Sequence, residues 1–408
     1  MSTLTFAVCR HDPTLIELAA PTPRETKRLS DVDDHETLRR QVPFLFFYRG
    51  RVHPGAQDPA AVIRRALGEA LVLYYPLAGR LREVEGRKLV VDCTGEGVMF
   101  VEADADVPLA ELETAGLRPP LPCMDQLLFD VEGSSGVLNS PLLLIQVTRL
   151  LCGGFVFALR LNHAICDAIG LAQFMSAVAE LARGVPAPTV TPACHADLHL
   201  RPGRRRGDQG APPAPHLRET ATTFEALTAA LWRARTAALE LPPEDEVRLV
   251  FMVNIRGVRA LELPAGYYGN AIVTSVALTT AAALLAGSLG DAVELVREAK
   301  AAVTAEYVRS TADLLVLRGR PVIAIPASLY FVSDNRHAGF HRLDFGWGVP
   351  VYGGLSSVVF GGSYLVAVRN GNGELAVAVP IVLPQPAMDR FVSEVEVMLT
   401  TLVGSVPR

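Results

Sequence analysis

The chain has 408 residues, of which half are apolar and one fifth are charged, so it is long enough for two or three globular domains and is not a disordered chain. Its net charge of −5 and mixed signs argue against a nucleic-acid partner, which requires clustered basic surface. The one short basic cluster, Arg201 to Arg206, lies in a Pro- and Gly-rich stretch and is interpreted as a solvated loop.

No apolar run is long enough to span a bilayer, and residues 1–12 lack the basic-then-apolar pattern of a signal peptide. We therefore expect no membrane partner and a cytosolic location.

The cysteines are scattered without a C-x-x-C pair, which predicts reduced, buried thiols. No His/Cys cluster has the spacing of metal ligands, so we expect neither a metal site nor a bound cofactor. The six cysteines are Cys9, Cys93, Cys123, Cys152, Cys166 and Cys194.

The first elements along the chain follow from apolar periodicity and breakers. A strand is predicted from Pro43 to Tyr48, and apolar residues at helical spacing predict a helix from Pro59 to Leu73. Pro76 ends that helical pattern. Segments Lys88 to Cys93 and Gly97 to Val101 flank a Gly-containing turn, which predicts a hairpin.

A second hairpin is predicted from Leu142 to Leu151 and from Gly154 to Leu161, and a helix is predicted from Gly170 to Leu181. His163 stands between the strand and the helix, where an imidazole is rigidly held yet accessible, as a general base must be. Asp167 follows four residues later. It could orient the imidazole, as in a Ser-His-Asp arrangement, or cap the turn and face an arginine.

A Pro-rich stretch divides the chain into two α/β halves. We predict a first domain over residues 1–185, a crossover over 186–221 and a second domain over 222–408. Thr222 and Glu225 suit the start of a helix that runs to about Ala238. The remaining predicted elements of the second half are strands at 247–253 and 272–279, a long helix at 289–308, strands at 363–369 and 375–383, and a closing helix at 388–402.

A glycine-rich motif near the end of the chain runs from Asp344 through Phe345, Gly346 and Trp347 to Gly348. Two glycines around a tryptophan indicate a tight backbone path with a pinned aromatic ring, which could place N–H groups near a ligand. A structural turn explains the same pattern equally well.

Together, His163-Ala164-Ile165-Cys166-Asp167 and Asp344-Phe345-Gly346-Trp347-Gly348 resemble the signature of the plant BAHD acyl-CoA-dependent acyltransferases. The likeness is greatest to the benzyl alcohol O-benzoyltransferases and related alcohol acyltransferases, and it covers nearly the whole chain. Other stretches that look like this family are Pro21 to Thr26, Tyr74 to Arg80, Asp92 to Val98, Leu142 to Arg149, Thr228 to Arg233 and Gly266 to Asn270.

The resemblance implies two chloramphenicol-acetyltransferase-like α/β domains with a solvent channel between them. It implies that His163 deprotonates an alcohol, which attacks the thioester of an acyl-CoA cosubstrate directly. It also implies a structural pair between Asp167 and Arg256. Further residues implied by the resemblance are Asp344, Gly346, Trp347 and Gly348 as structural supports, and Tyr268, Gly269 and Asn270 as candidates for the substrate or CoA channel.

The expected reaction moves a benzoyl-type group to a small alcohol such as benzyl alcohol, and we expect a monomer. Three alternatives remain open: a hydroxycinnamoyl-CoA donor with a monolignol-type acceptor, an acyl-enzyme on Cys166, and a non-catalytic paralogue. The last is suggested by the segment from Thr191 to Thr222, which lacks the strand that the family carries there. In the family this region helps to bind CoA.

Overall fold

The structure is a computed structural model that describes residues 4–50, 57–117, 119, 121, 124–131, 136–193, 221–318, 326–357, 362–370 and 372–404. The strands in this part of the chain are β1 (Val8–Arg10), β2 (Thr14–Ile16), β3 (Thr26–Arg28), β4 (Gln41–Tyr48), β5 (Arg80–Val84), β6 (Lys88–Asp92), β7 (Val98–Ala105), β8 (Leu143–Leu150), β9 (Phe155–Asn162), β10 (Glu246–Asn254), β11 (Ile272–Thr280), β12 (Leu329–Asp334), β13 (Tyr352–Leu355), β14 (Ser363–Arg369) and β15 (Leu375–Ala378). The helices are α1 (Pro59–Leu73), α2 (Leu109–Ala115), α3 (Met124–Leu127), α4 (Ala168–Ala182), α5 (Thr223–Ala238), α6 (Ala281–Ala286), α7 (Leu289–Ala301), α8 (Ala305–Leu317) and α9 (Gln385–Gly404).

The larger sheet has the order β1-β7-β8-β9-β4-β13, with β2 also paired to β7. Its strands β4, β8 and β9 are buried almost throughout, as expected of strands covered on both faces. Strand β13 comes from the second half of the chain and pairs antiparallel with β4. Thus the second half contributes the edge strand of the sheet that the first half builds.

Helices α1 and α4 pack on one face of this sheet. Apolar residues at helical spacing face the main core in both helices. The carboxylate of Asp58 caps α1 by accepting the Ala61 N–H, and Pro59 occupies the first turn, where its missing N–H costs nothing. The predicted helix from Pro59 to Leu73 is confirmed with the same bounds.

The second sheet has the order β11-β10-β12-β14-β15. Alternate residues of its central strands, such as Leu249 on β10 and Val332 on β12, pack against α5 and α7 in a separate core. The other residues of the same strands, such as Val250 and Met252, point to the opposite face and line a cavity. One face of this sheet therefore stabilises the second half, and the other face forms the wall of a channel.

The hairpin predicted between Lys88 and Val101 is wrong. Strand β6 pairs with β3 and β5, whereas β7 pairs with β1, β2 and β8 in another sheet. The turn between them carries the chain across, and Gly97 has a φ of +91° there. A Cβ at Gly97 would lie 2.1 Å from the carbonyl oxygen of Ile16. The glycine thus serves a close approach between segments instead of a hairpin turn.

The single helix predicted from Leu289 to Val308 is two helices. Helix α7 ends at Ala301 and α8 begins at Ala305, after the Thr304 hydroxyl accepts the Tyr307 N–H and caps the new helix. Strand β15 is also shorter than the segment predicted at 375–383, since Pro380 has no N–H for a ladder. The predicted crossover lies largely outside the described residues, so the two boundaries that separate it from the domains stay predictions.

Candidate active site

The imidazole of His163 follows strand β9 directly, opposite the start of β4. The register pairs Asn162, the last residue of β9, with Gln41, the first residue of β4, so His163 and Arg40 lie just beyond the ends of the two strands. The His163 N–H donates to the Arg40 carbonyl oxygen over 2.9 Å. Both side chains line the same two cavities. The ends of two buried strands therefore place an imidazole beside a guanidinium.

The hydrogen bonds of His163 fix its tautomer. Its Nδ1 lies 3.1 Å from the carbonyl oxygen of Cys166. Because a carbonyl can only accept, Nδ1 carries the proton and Nε2 keeps its lone pair. The turn is held on its other side by Asn270, whose Nδ2 donates to the His163 carbonyl over 2.9 Å. The ring is thus arranged to accept a proton at Nε2.

The pKa of His163 lies below its ordinary value of 6.5. Burial is the largest cause, and the positive charge of Arg40 lowers the pKa further. The negative charge of Asp167 and the bond to the Cys166 carbonyl oppose the shift without cancelling it. The imidazole is therefore neutral at pH 7, which is the form that a general base requires.

Two cavities meet at His163. The smaller, of about 100 Å³, reaches Ala168 at the start of α4. The larger, of about 300 Å³, extends along the channel face of the second sheet as far as Arg248 and Val276. The side chains that line both cavities are Arg40, His163, Met252, Ile272, Ser333 and Tyr364. A substrate in each cavity would therefore meet the other beside the same imidazole.

The carboxylate of Asp167 is saturated by donors other than the imidazole. Its Oδ1 accepts the Gly170 N–H at 2.9 Å and Arg256 Nη2 at 3.0 Å, while its Oδ2 accepts Arg256 Nη1 at 2.8 Å and the Ala271 N–H at 2.9 Å. The predicted contact between Asp167 and Arg256 is therefore confirmed. Since His163 Nδ1 binds a carbonyl instead, this geometry does not form a Ser-His-Asp type of relay.

The sequence reasoning missed Asp33, which supports the turn that carries His163. Its fully buried carboxylate accepts the backbone N–H of Asn270 at 2.8 Å and the Asn270 Nδ2 at 2.9 Å. Asn270 in turn holds the His163 carbonyl. On its other oxygen, Asp33 accepts the Ser30 N–H and hydroxyl. The Ser30-x-x-Asp33 spacing, typical of reciprocal capping, was the available signal in the sequence.

The thiol of Cys166 is buried, and burial raises its pKa well above its ordinary value. The negative charges of Asp167 and Asp33 raise it further. The thiol therefore stays protonated at neutral pH, while a nucleophilic cysteine needs its thiolate. Cys166 is also absent from the described residues that line the two cavities. This geometry does not favour an acyl-enzyme on Cys166.

Tyr268, Gly269 and Asn270, the candidates for the substrate or CoA channel, lie beside the turn that carries His163. None of them is among the described residues that line the two cavities. The ring of Tyr268 packs 5.1 Å from that of Tyr74, and the Gly269 carbonyl accepts from Arg256 Nη2 at 2.7 Å. Through Asn270 the segment holds the His163 turn, and its place in the channel stays a prediction.

The motif from Asp344 to Gly348 folds around its own aspartate. Asp344 Oδ1 accepts the N–H of Gly346 at 2.7 Å and of Gly348 at 2.8 Å. Both glycines have positive φ, of +111° and +89°. The Trp347 ring meets Phe155 edge-on, with centroids 5.4 Å apart. These contacts agree with a structural support, and the motif is absent from the described lining of both cavities.

In the described ranges, no group of three or more His, Cys, Asp and Glu side chains is arranged to hold a metal ion. No helix in the same part of the chain is both long and apolar enough to cross a membrane. The polar side chains shared by both cavities belong to Arg40, His163, Ser333 and Tyr364. The chemistry available at the junction is therefore that of an imidazole, a guanidinium and two hydroxyls.

A model of the Transferase family matches residues 7–215 and 206–398. The benzyl alcohol O-benzoyltransferase of Petunia hybrida is 48% identical over 440 aligned residues, covering 98% of this chain and 95% of that protein. The chain belongs to this family of BAHD acyltransferases. Alcohol acyltransferase 16 of Actinidia chinensis var. chinensis is 44% identical, covering 97% of this chain and 94% of that protein. The protein is therefore an enzyme of the EC 2.3.1 type.

Solved structures of two other proteins confirm the predicted fold of two α/β domains. Vinorine synthase is 22% identical with a TM-score of 0.74, covering 94% of this chain and 96% of that one. F. graminearum TRI101, solved with coenzyme A and deoxynivalenol, is 16% identical with a TM-score of 0.73, covering 90% and 96%. The petunia alignment is longer than this chain, so that relative has residues without counterparts here. The shortened crossover itself falls mostly on residues 194–220, outside the described ranges, and stays a prediction.

Proposed function

We propose that the protein transfers a benzoyl-type acyl group from CoA to the hydroxyl of a small alcohol such as benzyl alcohol, with His163 as the general base. The observation that carries the proposal is the Nδ1 bond of His163 to the Cys166 carbonyl at the junction of two cavities. The benzyl alcohol O-benzoyltransferases of Petunia hybrida and Nicotiana tabacum, each 48% identical, suggest this donor and acceptor.

In the proposed reaction, the alcohol and the thioester approach Nε2 of His163 from different cavities. The alcohol proton passes to Nε2 while the oxygen attacks the thioester carbonyl carbon, which gives a tetrahedral oxyanion. That oxyanion collapses by breaking the C–S bond. The CoA thiolate leaves and takes the proton from the imidazolium. The products are an ester and CoA thiol, and no covalent enzyme intermediate forms.

The neutral resting state of the base supports this mechanism. Burial and the charge of Arg40 lower the pKa of His163, so the lone pair is free at neutral pH. A base with a lowered pKa is also weaker, and it therefore relies on being held next to the reacting hydroxyl. We propose that the protein acts in the cytosol as a monomer, as the sequence suggests.

The test uses purified protein with benzoyl-CoA and benzyl alcohol, followed by release of free thiol and by mass detection of benzyl benzoate. We expect acceptor-dependent thiol release that falls to background in His163→Ala. A parallel series with coumaroyl-CoA compares the two donor classes. Higher kcat/KM with coumaroyl-CoA would replace the benzoyl donor by a hydroxycinnamoyl donor.

Thiol release equal in the wild type and in His163→Ala would refute the proposed base. Binding of benzoyl-CoA without ester formation from any alcohol in a broad panel would instead identify a non-catalytic paralogue. A folded His163→Ala protein, judged by its thermal unfolding midpoint, is required for either conclusion. His341, a partly buried histidine outside the described lining of both cavities, offers a matched control as His341→Ala.

A further inference from the structure

The larger cavity has a positively charged wall beside His163. Arg40 and Arg248 line this cavity, and no aspartate or glutamate is among the described residues that do. Arg248 is an exposed side chain that donates through Nε to Glu246 at 2.6 Å, so its charge is offset. Arg40 is partly buried. Apolar walls screen its charge less than bulk water would, so its field extends into the cavity.

The guanidinium of Arg40 is held from two sides. The Arg40 carbonyl accepts the His163 N–H, and its side chain hydrogen-bonds to the hydroxyl of Tyr364 on β14. The contact therefore joins the two sheets across the channel. The hydroxyl orients the guanidinium by hydrogen bonding. The planar fork of arginine donors matches a carboxylate in bidentate geometry.

We propose that Arg40 binds a carboxylate on the acyl acceptor, so that the protein prefers alcohols that carry a carboxylate over neutral alcohols of the same size. This proposal rests on the proposed function and names its acceptor class. His163 and Arg40 are joined by a backbone hydrogen bond of 2.9 Å, and both line the same two cavities. A small hydroxy acid can therefore reach both groups, with its hydroxyl at Nε2 and its carboxylate on the guanidinium.

The experiment compares two acceptors of matched shape, 4-(hydroxymethyl)benzoate and 4-methylbenzyl alcohol, with benzoyl-CoA as donor and benzyl alcohol as a reference. The measured quantity is the ratio of kcat/KM for the carboxylate over the methyl compound. We expect a ratio above one in the wild type. In Arg40→Met the ratio should fall by about 10- to 100-fold, which is the usual contribution of a charge-assisted hydrogen bond.

Arg40→Lys keeps the positive charge but not the planar guanidinium. Its ratio of kcat/KM for the two acceptors should therefore lie between those of the wild type and Arg40→Met. The matched control is Arg65→Met, which removes a half-exposed arginine of α1 that pairs with Glu69. Its ratio should equal that of the wild type. Arg40→Gln serves as a second neutral variant in case Arg40→Met does not fold, as judged by its thermal unfolding midpoint.

Several outcomes would overturn the proposal. A wild-type ratio below one would do so whatever the variants show. An unchanged ratio in folded Arg40→Met or Arg40→Gln would also do so. Equal losses for both acceptors would place Arg40 in a step common to all acceptors, such as support of the oxyanion. If the wild type esterifies none of the three alcohols, the proposed function fails; if it esterifies only the neutral ones, the acceptor class alone fails.

Discussion

Replacing Asp167 by asparagine separates a structural carboxylate from a catalytic relay. The carboxylate accepts four hydrogen bonds, two of them from Arg256. Each carboxylate oxygen accepts two of these bonds, and in asparagine one oxygen is replaced by an NH2 group that cannot accept. The two bonds to that position are therefore lost, and Arg256 loses its counter-charge. Hydrogen bonds to charged groups contribute about 1.5–3 kcal/mol each, and breaking a buried ion pair costs about 3–5 kcal/mol. We expect Asp167→Asn to lower the free energy of unfolding by about 3–5 kcal/mol.

The assay is chemical denaturation of Asp167→Asn, Arg256→Met and the double variant, alongside kcat and KM for each folded protein. Each single variant leaves one buried group without its partner, whereas the double variant removes both charges. The double variant should therefore lose less than the sum of the single losses, by about 0.5–3 kcal/mol. If Asp167→Asn keeps the wild-type denaturation midpoint but loses most of its kcat, the carboxylate acts on the imidazole during the reaction. The structural role would then be refuted.

His163→Ala should lower kcat by about 10²- to 10⁴-fold at an unchanged unfolding midpoint, measured by thiol release. The kcat/KM of the wild type should rise with pH through a pKa below 6.5, because burial and the charge of Arg40 lower the His163 pKa. In Arg40→Met this rise in kcat/KM should occur at higher pH. A wild-type rise centred above pH 6.5 would contradict the lowered pKa of the base. Cys166→Ala should keep its turnover, and a large loss in the folded variant would support a covalent route. Phe345→Ala should lower the free energy of unfolding by about 3–5 kcal/mol in a denaturation assay, because the ring is fully buried.

Local patterns predicted elements well where neighbours in sequence decide the outcome. The helix at Pro59–Leu73 and the hairpin of β8 with β9 have strong apolar periods and clear ends. The false hairpin after Lys88 has equally good local signals, but its two strands belong to different sheets. The break at Thr304 depends on a capping hydroxyl inside a continuous helical period. Local periodicity therefore does not predict which strands pair, and it does not predict a helix cap that interrupts a continuous helical pattern.

The same division holds for the candidate site. His163 could be predicted because its strand, turn and helix are contiguous. Asp33 and Asn270 are 237 residues apart, and their contact exists only in the folded chain. Arg40 was not predicted either, since a single arginine before a strand carries no signal of the cavity that it will face. The packing of Tyr268 against Tyr74 likewise joins segments that are far apart in sequence.

The amino-acid sequence was sufficient to predict the family, the two α/β halves, the position of the imidazole and the partner of Asp167. These depend on motifs and periods that are complete within short stretches or are shared with relatives. The tautomer of His163, the meeting of two cavities at that ring and the guanidinium beside it could be seen in the folded chain alone. The reason is geometric: each depends on a distance between segments far apart in sequence, and such distances are set by sheet register and packing.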